Sequence, residues 1–475
     1  MTRNLPGIAA LTMESDFGIV LCFTHTPILL GTLVLMLLLD KPISWHNDTS
    51  IIPSSANLPL AMVTDRSPLP EDTLNRYLRA FVSHAAIPTF VEDMVIGPVT
   101  VPKYANEFWT SRQRQASSIH EISYRACFKP QLPRFFIDLL TRKGDVVYDP
   151  FSGRGTTVIE AGLSGRDVLA NDANPLSRIM TEPRFFPPDR ADVEKRLSAI
   201  SRDSEGATID LSMFYHPDTE KEIVALRQYL LKRKADCRDD MIDRWIAMVA
   251  TNRLTGHSKG FFSVYTLPPN QAVSQKSQQR INLKRQQTPE YRDTHKIILD
   301  KTKSLLRTLF PAEKKDLNRA GKKARLLTGD ARSTPGIPDT SVQLTVTSPP
   351  FLDIVQYRED NWLRCWFNGH NEEAIGEQIT MARTLDQWTG VMGAVFRELY
   401  RITCYGGYVA FEVGEVRKRT IRLEEHVIPL GITAGFKCDG VLINQQVFTK
   451  TSNIWGVNNM ASGTNTNRIV IFHKS

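Results

Sequence analysis

A parallel α/β sheet with helices on both faces, interrupted by a mainly helical insertion, is the fold class the sequence predicts, on three observations. Short apolar runs alternate with helical patterns from Val146 onward: DVVYDP, TTVIEAGL and RDVLAND come in succession, and SVQLTVTSPP, GGYVAFEVG and NRIVIFHK follow much later. Strands separated by amphipathic helices are joined by crossovers, which pair them parallel. Glycine or proline stands just past two of these strands, at Gly153 and Gly155 and at Pro349 and Pro350, and an open α/β sheet binds its ligands at the carboxyl ends of its strands. Between Arg184 and Arg325 the rhythm gives way to polar, helical stretches such as DTEKEIVALRQYLLKRKAD and HKIILDKTKSLLRTL.

The bulk numbers are compatible with this class and exclude others. A chain of 475 residues, 41% apolar and 23% charged, buries a sizeable core and fits neither a disordered chain nor a multi-span membrane protein. The net charge of +8 suits a phosphate-bearing partner without demanding one. The six cysteines, Cys22, Cys127, Cys237, Cys365, Cys404 and Cys438, form no CxxC pair and no Cys/His cluster, so a reducing cytoplasm and no metal are expected.

In chain order, residues 1–100 read as an N-terminal extension and linker. Phe17 to Leu39 is uncharged apart from His25 and ends in PILLGTLVLMLLL, long enough to cross a bilayer. A membrane anchor, a secretory signal with only Arg3 as its basic region, and an upstream extension from a generous start codon all account for it. The remainder reads as cytoplasmic. Residues 101–185 form the first half of the sheet domain, 186–324 the insertion and 325–475 the second half.

The first chemical signal is Asp149-Pro150-Phe151-Ser152-Gly153-Arg154-Gly155-Thr156-Thr157, placed between a predicted strand and a predicted helix. Gly153 and Gly155 let the backbone turn tightly and approach a ligand, and the helix start offers unpaired N–H groups. Asp172, at the end of the next strand, lies 19 residues beyond Gly153 (172 − 153). An acid at that separation can accept hydrogen bonds from ribose hydroxyls. A nucleoside-containing cofactor is therefore expected.

The second signal is Thr347-Ser348-Pro349-Pro350-Phe351, which closes the alternating strand Val342, Leu344, Val346. Two prolines end the strand and stiffen the turn, because neither donates to a ladder. An aryl amine is a weak nucleophile, and fixed acceptors on its hydrogens localise its lone pair toward an electrophile. Ser348 Oγ and the Pro349 carbonyl are candidates for that pair, and Phe351 for the face on which an extruded base stacks.

DPFSGRGTT followed by TSPPF resembles the cofactor loop and catalytic loop of the amino-group DNA methyltransferases, over roughly Pro102 to Arg184 and Arg325 to Lys474. The resemblance implies a Rossmann-like class I methyltransferase fold with a seven-stranded, mostly parallel sheet, and S-adenosylmethionine as cofactor. It also implies that Asp149, Phe151, Gly153, Gly155 and Thr156 line the cofactor's amino-acid end. Asp172 would take the ribose and Asp330 the adenine, while Phe128 and Lys129, in FKPQLP, would close over the methionine moiety. The catalytic set would be Ser348, Pro349, Pro350 and Phe351. Serine in this loop is commoner in N4-cytosine enzymes and Asp or Asn in N6-adenine enzymes, so cytosine N4 is the favoured target.

Adenine N6, an RNA amino group, and a catalytically silent DNA-binding subunit remain alternatives. C5-cytosine chemistry needs a thiolate nucleophile, and no proline here precedes a cysteine. Double-stranded DNA is the implied partner, with a cognate restriction endonuclease as an optional companion. The insertion is the candidate recognition region, since Lys276 to Arg307 holds nine Lys or Arg against three Asp or Glu, a density that can follow a phosphate backbone. Its polar loop, with Asn270, Gln271, Gln275, Gln278, Gln279, Arg280 and Asn282, has side chains able to read base edges. Arg253, His257, Ser258 and Tyr265 are candidates for a base pocket. His120 and Glu412 are left outside the main assignment.

Overall fold

The computed structural model describes residues 73–110, 116–124, 127–266, 272–350, 357–371, 384–413, 421–445 and 466–475, with isolated positions between these spans. The apolar segment 17–39 lies outside the described residues. So do Phe351, Asn270 and Gln271. Among the described residues no helix is long and apolar enough to cross a membrane.

The described residues begin with α1 (Thr73–Ala80) and an antiparallel hairpin of β1 (Phe90–Ile96) and β2 (Val99–Asn106). The sheet continues with β3 (Val146–Asp149), β4 (Asp167–Asp172), β5 (Arg325–Thr328), β6 (Val342–Thr347) and β7 (Thr403–Val413). A two-residue ribbon, β8 (Glu415–Val416) and β9 (Ile421–Arg422), precedes β10 (Lys437–Gln445) and β11 (Thr466–His473). The main sheet is ordered β1-β2-β10-β11-β7-β6-β3-β4-β5. Seven of its strands, β5-β4-β3-β6-β7-β11-β10, form the expected mostly parallel sheet, with β11 antiparallel to both neighbours.

Two corrections to the sequence reading follow. The sheet has nine strands, because β2 pairs parallel to β10 through Val441↔Lys103 to Asn444↔Asn106 and brings β1 with it. The linker therefore ends before Thr73, and residues 73–100 belong to the folded unit. The pairing covers what would otherwise be an open edge on β10. The Tyr104 ring is fully buried, and its hydroxyl donates to Asn75 Oδ1 at 3.0 Å, which seats α1 on the added strands.

Both faces of the sheet are covered, as parallel strands require. Successive strand residues point to opposite faces: Val147 and Val168 enter one core, Tyr148 and Leu169 the other. The first core is closed by α2 (Gln131–Leu140), α3 (Thr156–Leu163) and the helices between β4 and β5. The second is closed by two later helices, Leu385–Ile402 and Leu423–Ala434.

Between β4 and β5 run α4 (Leu176–Thr181), α5 (Arg190–Ser198), α6 (Pro217–Ala235), α7 (Met241–Arg253), α8 (Gln275–Arg285), α9 (Thr294–Leu306) and α10 (Pro311–Lys323). Local sequence sets several of their starts. Asp240 accepts from the backbone N–H groups of Ile242 and Asp243 at the start of α7, and Asp293 does the same for Lys296 in α9. Such caps satisfy donors that have no partner within the helix.

Candidate active site

The two sequence motifs leave adjacent parallel strands. Asp149 ends β3 and Thr347 ends β6, which pair through Val147↔Leu344 and Tyr148↔Thr345. Thr347 Oγ1 donates to Asp149 Oδ1 at 2.7 Å, and Thr157 Oγ1 donates to the Val346 carbonyl at 3.0 Å. Two loops 198 residues apart are thus stitched into one floor. Burial pushes the Asp149 carboxyl up to about 7, with the Thr347 and Phe151 hydrogen bonds opposing it.

The glycine turn is built by Gly153 at φ +52° and Gly155 at φ +73°, a region that residues with a Cβ rarely adopt. Ser152 N donates to the Asn171 carbonyl at 3.0 Å, and Gly153 N donates to Asp172 Oδ2 at 2.7 Å. The neighbouring strand end therefore holds the turn. Asp172 Oδ1 also accepts from Asn174 N at 2.8 Å, and burial raises this carboxyl to about 6. Each of its oxygens retains a lone pair.

Over the turn lies the segment that precedes α2. A Cβ at Gly153 would sit 3.6 Å from the Tyr124 ring and 3.8 Å from Cys127 Sγ. The buried Arg154 side chain donates to the His120 carbonyl at 3.3 Å and the Ile122 carbonyl at 2.7 Å, clamping this segment onto the glycine loop. Phe128 packs against the first core and Phe151 against the second. Lys129 is held below the usual ammonium range by burial and by Arg154. Thr156 is buried and accepts from Arg154 Nε at 3.2 Å.

Asp330 is placed differently. Its loop is bound to the floor, with Gly329 N donating to the Asp172 carbonyl at 3.1 Å and Asn171 Nδ2 to the Gly329 carbonyl at 2.9 Å. Its carboxylate is exposed and taken by the Arg332 guanidinium. The structure brings the loop to the cleft and leaves the charge at the rim.

The Ser-Pro-Pro loop is fixed from two sides. Trp388, on the helix Leu385–Ile402, donates its indole N–H to the Pro350 carbonyl at 2.9 Å. Ser348 lies beside the carboxyl of Glu412 and favours its ionised form, and that carboxyl accepts from Asn467 Nδ2 at 2.5 Å. Glu412 lies near the end of β7, is 8% exposed, and is pushed up to about 7 by that burial. A buried acid that titrates near neutrality beside a serine hydroxyl has the character of a proton acceptor.

The cleft's chemistry fits a nucleoside-bearing ligand. The buried Ser152 Oγ has no hydrogen-bond partner in the structure, Gly155 has no room for a Cβ against Thr181, and Asp172 presents spare acceptors beside the turn. An adenosyl group with an amino-acid tail has the hydroxyls and charges to use them.

A sequence profile of the N6/N4 DNA methylase family matches residues 91–182, which span the hairpin, the closing segment, the glycine turn and Asp172. Over residues 91–182, then, the chain is similar to the N6/N4 DNA methylases. The Type II methyltransferase M.MvaI of Kocuria varians is 32% identical over 101 residues, covering 21% of each chain. The Type II methyltransferase M.BsoBI of Geobacillus stearothermophilus is 26% identical over 300 residues, 55% of this chain and 54% of that one. The matched regions thus span no more than about half of these relatives' length. Among solved structures, a TehB-like SAM-dependent methyltransferase from Corynebacterium glutamicum aligns over 72% of this chain and 87% of that one, at 9% identity and a TM-score of 0.26. The fold rests instead on its strand order.

Several residues of the candidate site escape sequence reasoning. Glu412 is undecided in sequence because an acid at a strand end is common, and only its contact with Ser348 distinguishes it. Tyr124 and Trp388 belong to no motif. His120 is buried 2.6 Å from Glu160 and serves the core. Two proposed base readers also face inward: Gln278 Nε2 donates to the Tyr265 carbonyl at 3.0 Å and Asn282 Nδ2 to the Met213 carbonyl at 2.8 Å. They hold α8 in place. Tyr265 is covered by the Arg285 guanidinium, 3.7 Å from its ring centre.

The glycine turn supports a first prediction. A Cβ at Gly155 would come within 2.6 Å of Thr181 Cγ2, and its φ is strained for alanine. Gly155→Ala is expected to destabilise the domain by roughly 2–4 kcal/mol, read as a lower urea midpoint at unchanged m-value.

Proposed function

We propose that the protein methylates the exocyclic amino group of a DNA base, cytosine N4 in particular, with S-adenosylmethionine as methyl donor. One observation carries this reading: the Ser-Pro-Pro loop and the glycine turn share a floor through the Thr347–Asp149 bond, and the buried Glu412 carboxyl stands beside Ser348.

Gly153, Gly155, Phe151 and Thr156 would hold the cofactor's amino-acid end, with Phe128 and Lys129 closing over it and Asp172 accepting from its ribose. When bound, S-adenosylmethionine supplies an electrophilic sulfonium methyl. Ser348 Oγ accepts a hydrogen bond from the target amine and keeps its lone pair directed at that methyl. The Pro349 carbonyl takes the second amine hydrogen. Transfer would form the N–C bond as the donor's sulfur–methyl bond breaks and its sulfur leaves as a neutral thioether; the amine nitrogen would take up the positive charge and pass its proton through the Ser348 hydroxyl to the Glu412 carboxylate. The prolines and Trp388 keep the acceptors fixed, so little reorganisation is needed during reaction. Serine in place of an acid or amide at position 348 supports cytosine over adenine.

The test is expression in a host lacking DNA methylation, followed by digestion to nucleosides and mass spectrometry. N4-methylcytosine is expected. N6-methyladenine would keep the mechanism and overturn the target. Neither base, with DNA binding retained, would support a silent DNA-binding subunit.

A further inference from the structure

Outside the catalytic cleft, the insertion holds a cavity of about 490 Å³ between the end of α7, the Lys259-Gly260 turn, the 290–293 loop and α9. Five Lys or Arg and three Asp or Glu side chains line it. Two of those acids are already engaged: Asp300 pairs with Lys296 at 2.6 Å, and Asp293 with Arg202 at 3.1 Å. A cationic excess remains.

Its two most buried cations are held without a carboxylate of their own. Arg253 is 8% exposed. Its guanidinium lies 4.0 Å from the Phe261 ring centre, with Nε donating to the Asn252 carbonyl at 3.0 Å and Nη2 to Asn252 Oδ1 at 2.8 Å. Lys301 Nζ lies 3.9 Å from Glu121 Oε2, but Glu121 is shared with the Arg307 guanidinium at 2.7 Å and the Ser304 hydroxyl at 3.0 Å. Burial and like charge hold Arg253 down to about 10 and Lys301 down to about 8. A preorganised planar guanidinium beside an ammonium, both short of counter-charge, suits a phosphate oxygen pair.

The cavity adjoins the methylation site through one shared segment. Asn252, which orients Arg253, also binds Ser123 through N–H and carbonyl at 3.1 and 2.8 Å, and Ser118 Oγ donates to the Leu305 carbonyl at 2.8 Å. The next residue, Tyr124, faces the glycine turn.

We infer that this cavity seats a backbone phosphate of the DNA strand, gripped by Arg253 and Lys301, and so sets the strand's position relative to the catalytic cleft. The inference deepens the DNA reading above and rests on it. It gives the basic run of the insertion a specific anchor: Lys301 contacts phosphate from α9, while Gln278 and Asn282 hold the scaffold.

The test measures binding of a fluorescent DNA duplex to the full chain as a function of salt, for wild type, Arg253→Ala, Lys301→Met and Arg253→Lys. Melting curves check that each variant folds. The slope of log affinity against log salt is expected to become shallower by about 1 in Arg253→Ala and in Lys301→Met, with affinity reduced alike on different sequences. Arg253→Lys should keep most of the slope. Unchanged slopes in folded variants, with wild-type binding intact, would overturn the phosphate anchor and leave the methylase reading standing. Calorimetric binding of inorganic phosphate to wild type but not to Arg253→Ala, with those slopes unchanged, would reassign the cavity to a free anion. Failure of wild type both to bind DNA and to transfer methyl groups would instead sink the underlying DNA reading.

Discussion

Ser348→Ala is expected to lower kcat for methyl transfer by about 10²–10³-fold while leaving the Kd for S-adenosylmethionine unchanged. The cofactor is assigned to the glycine turn, Asp172 and the closing segment, none of which bonds Ser348 in the structure. The lost group is an acceptor that matters most as charge develops on the attacking amine, and a group used mainly in the transition state changes kcat more than binding. The substitution also removes the Ser348 hydroxyl from beside Glu412, a neighbour that favours its ionised form, so the carboxyl should titrate still higher. Single-turnover kinetics beside calorimetry of cofactor binding separates the two effects. An unchanged kcat would remove the Ser-Pro-Pro loop from the chemistry.

Glu412→Gln has the second large effect, and a distinctive one, because activity and stability should move in opposite directions. As proton acceptor, Glu412 must be ionised, and burial raises it to about 7. Wild-type kcat should therefore climb with pH and level off above about 7, with roughly a tenth of the plateau at pH 6. Glu412→Gln should lower the plateau about 10²-fold and flatten the profile. For stability the sign is the reverse of a salt-bridged acid. The folded state holds the proton that the unfolded chain releases near the ordinary glutamate value of 4.5, so the group's contribution falls as pH rises from there to about 7. At pH 8 the wild type buries a charge that glutamine does not carry, and glutamine keeps polar atoms for Asn467 and Ser348. The variant should be more stable there by about 1–3 kcal/mol, and the difference should vanish near pH 4. Urea denaturation at both pH values measures this. Equal loss of activity and stability at every pH would reduce Glu412 to a structural residue.

Much of this site is legible in the chain because its chemistry is local. Gly153 and Gly155 are needed where the backbone itself turns with positive φ, and Pro349 and Pro350 where a strand must stop. Such requirements show in a few consecutive residues. The short apolar run of Val146–Asp149 and the alternation of Val342–Thr347 show in the same way. Other parts were misplaced because their cause is remote. The 73–100 segment looks like a continuation of the linker until β2 finds β10, a pairing that depends on residues more than 300 positions away. Gln278 and Asn282 look like base readers because an amide side chain is polar wherever it stands, and only packing against Tyr265 and Met213 turns them inward.

By itself, then, the sequence determined the α/β class, the mostly parallel core of the sheet, the position of the glycine turn and the Ser-Pro-Pro loop, since each follows from short-range backbone geometry and hydrophobic period. The tertiary structure alone decided that Thr347 is bonded to Asp149, that Glu412 stands behind Ser348, that Trp388 holds the Pro350 carbonyl, and that Arg253 and Lys301 share a cavity. Those four facts join residues distant in sequence, and two of them depend on desolvation. Burial is a property of the assembled fold, and burial is what turns Glu412 from an ordinary surface-type carboxylate into a group that titrates near neutrality.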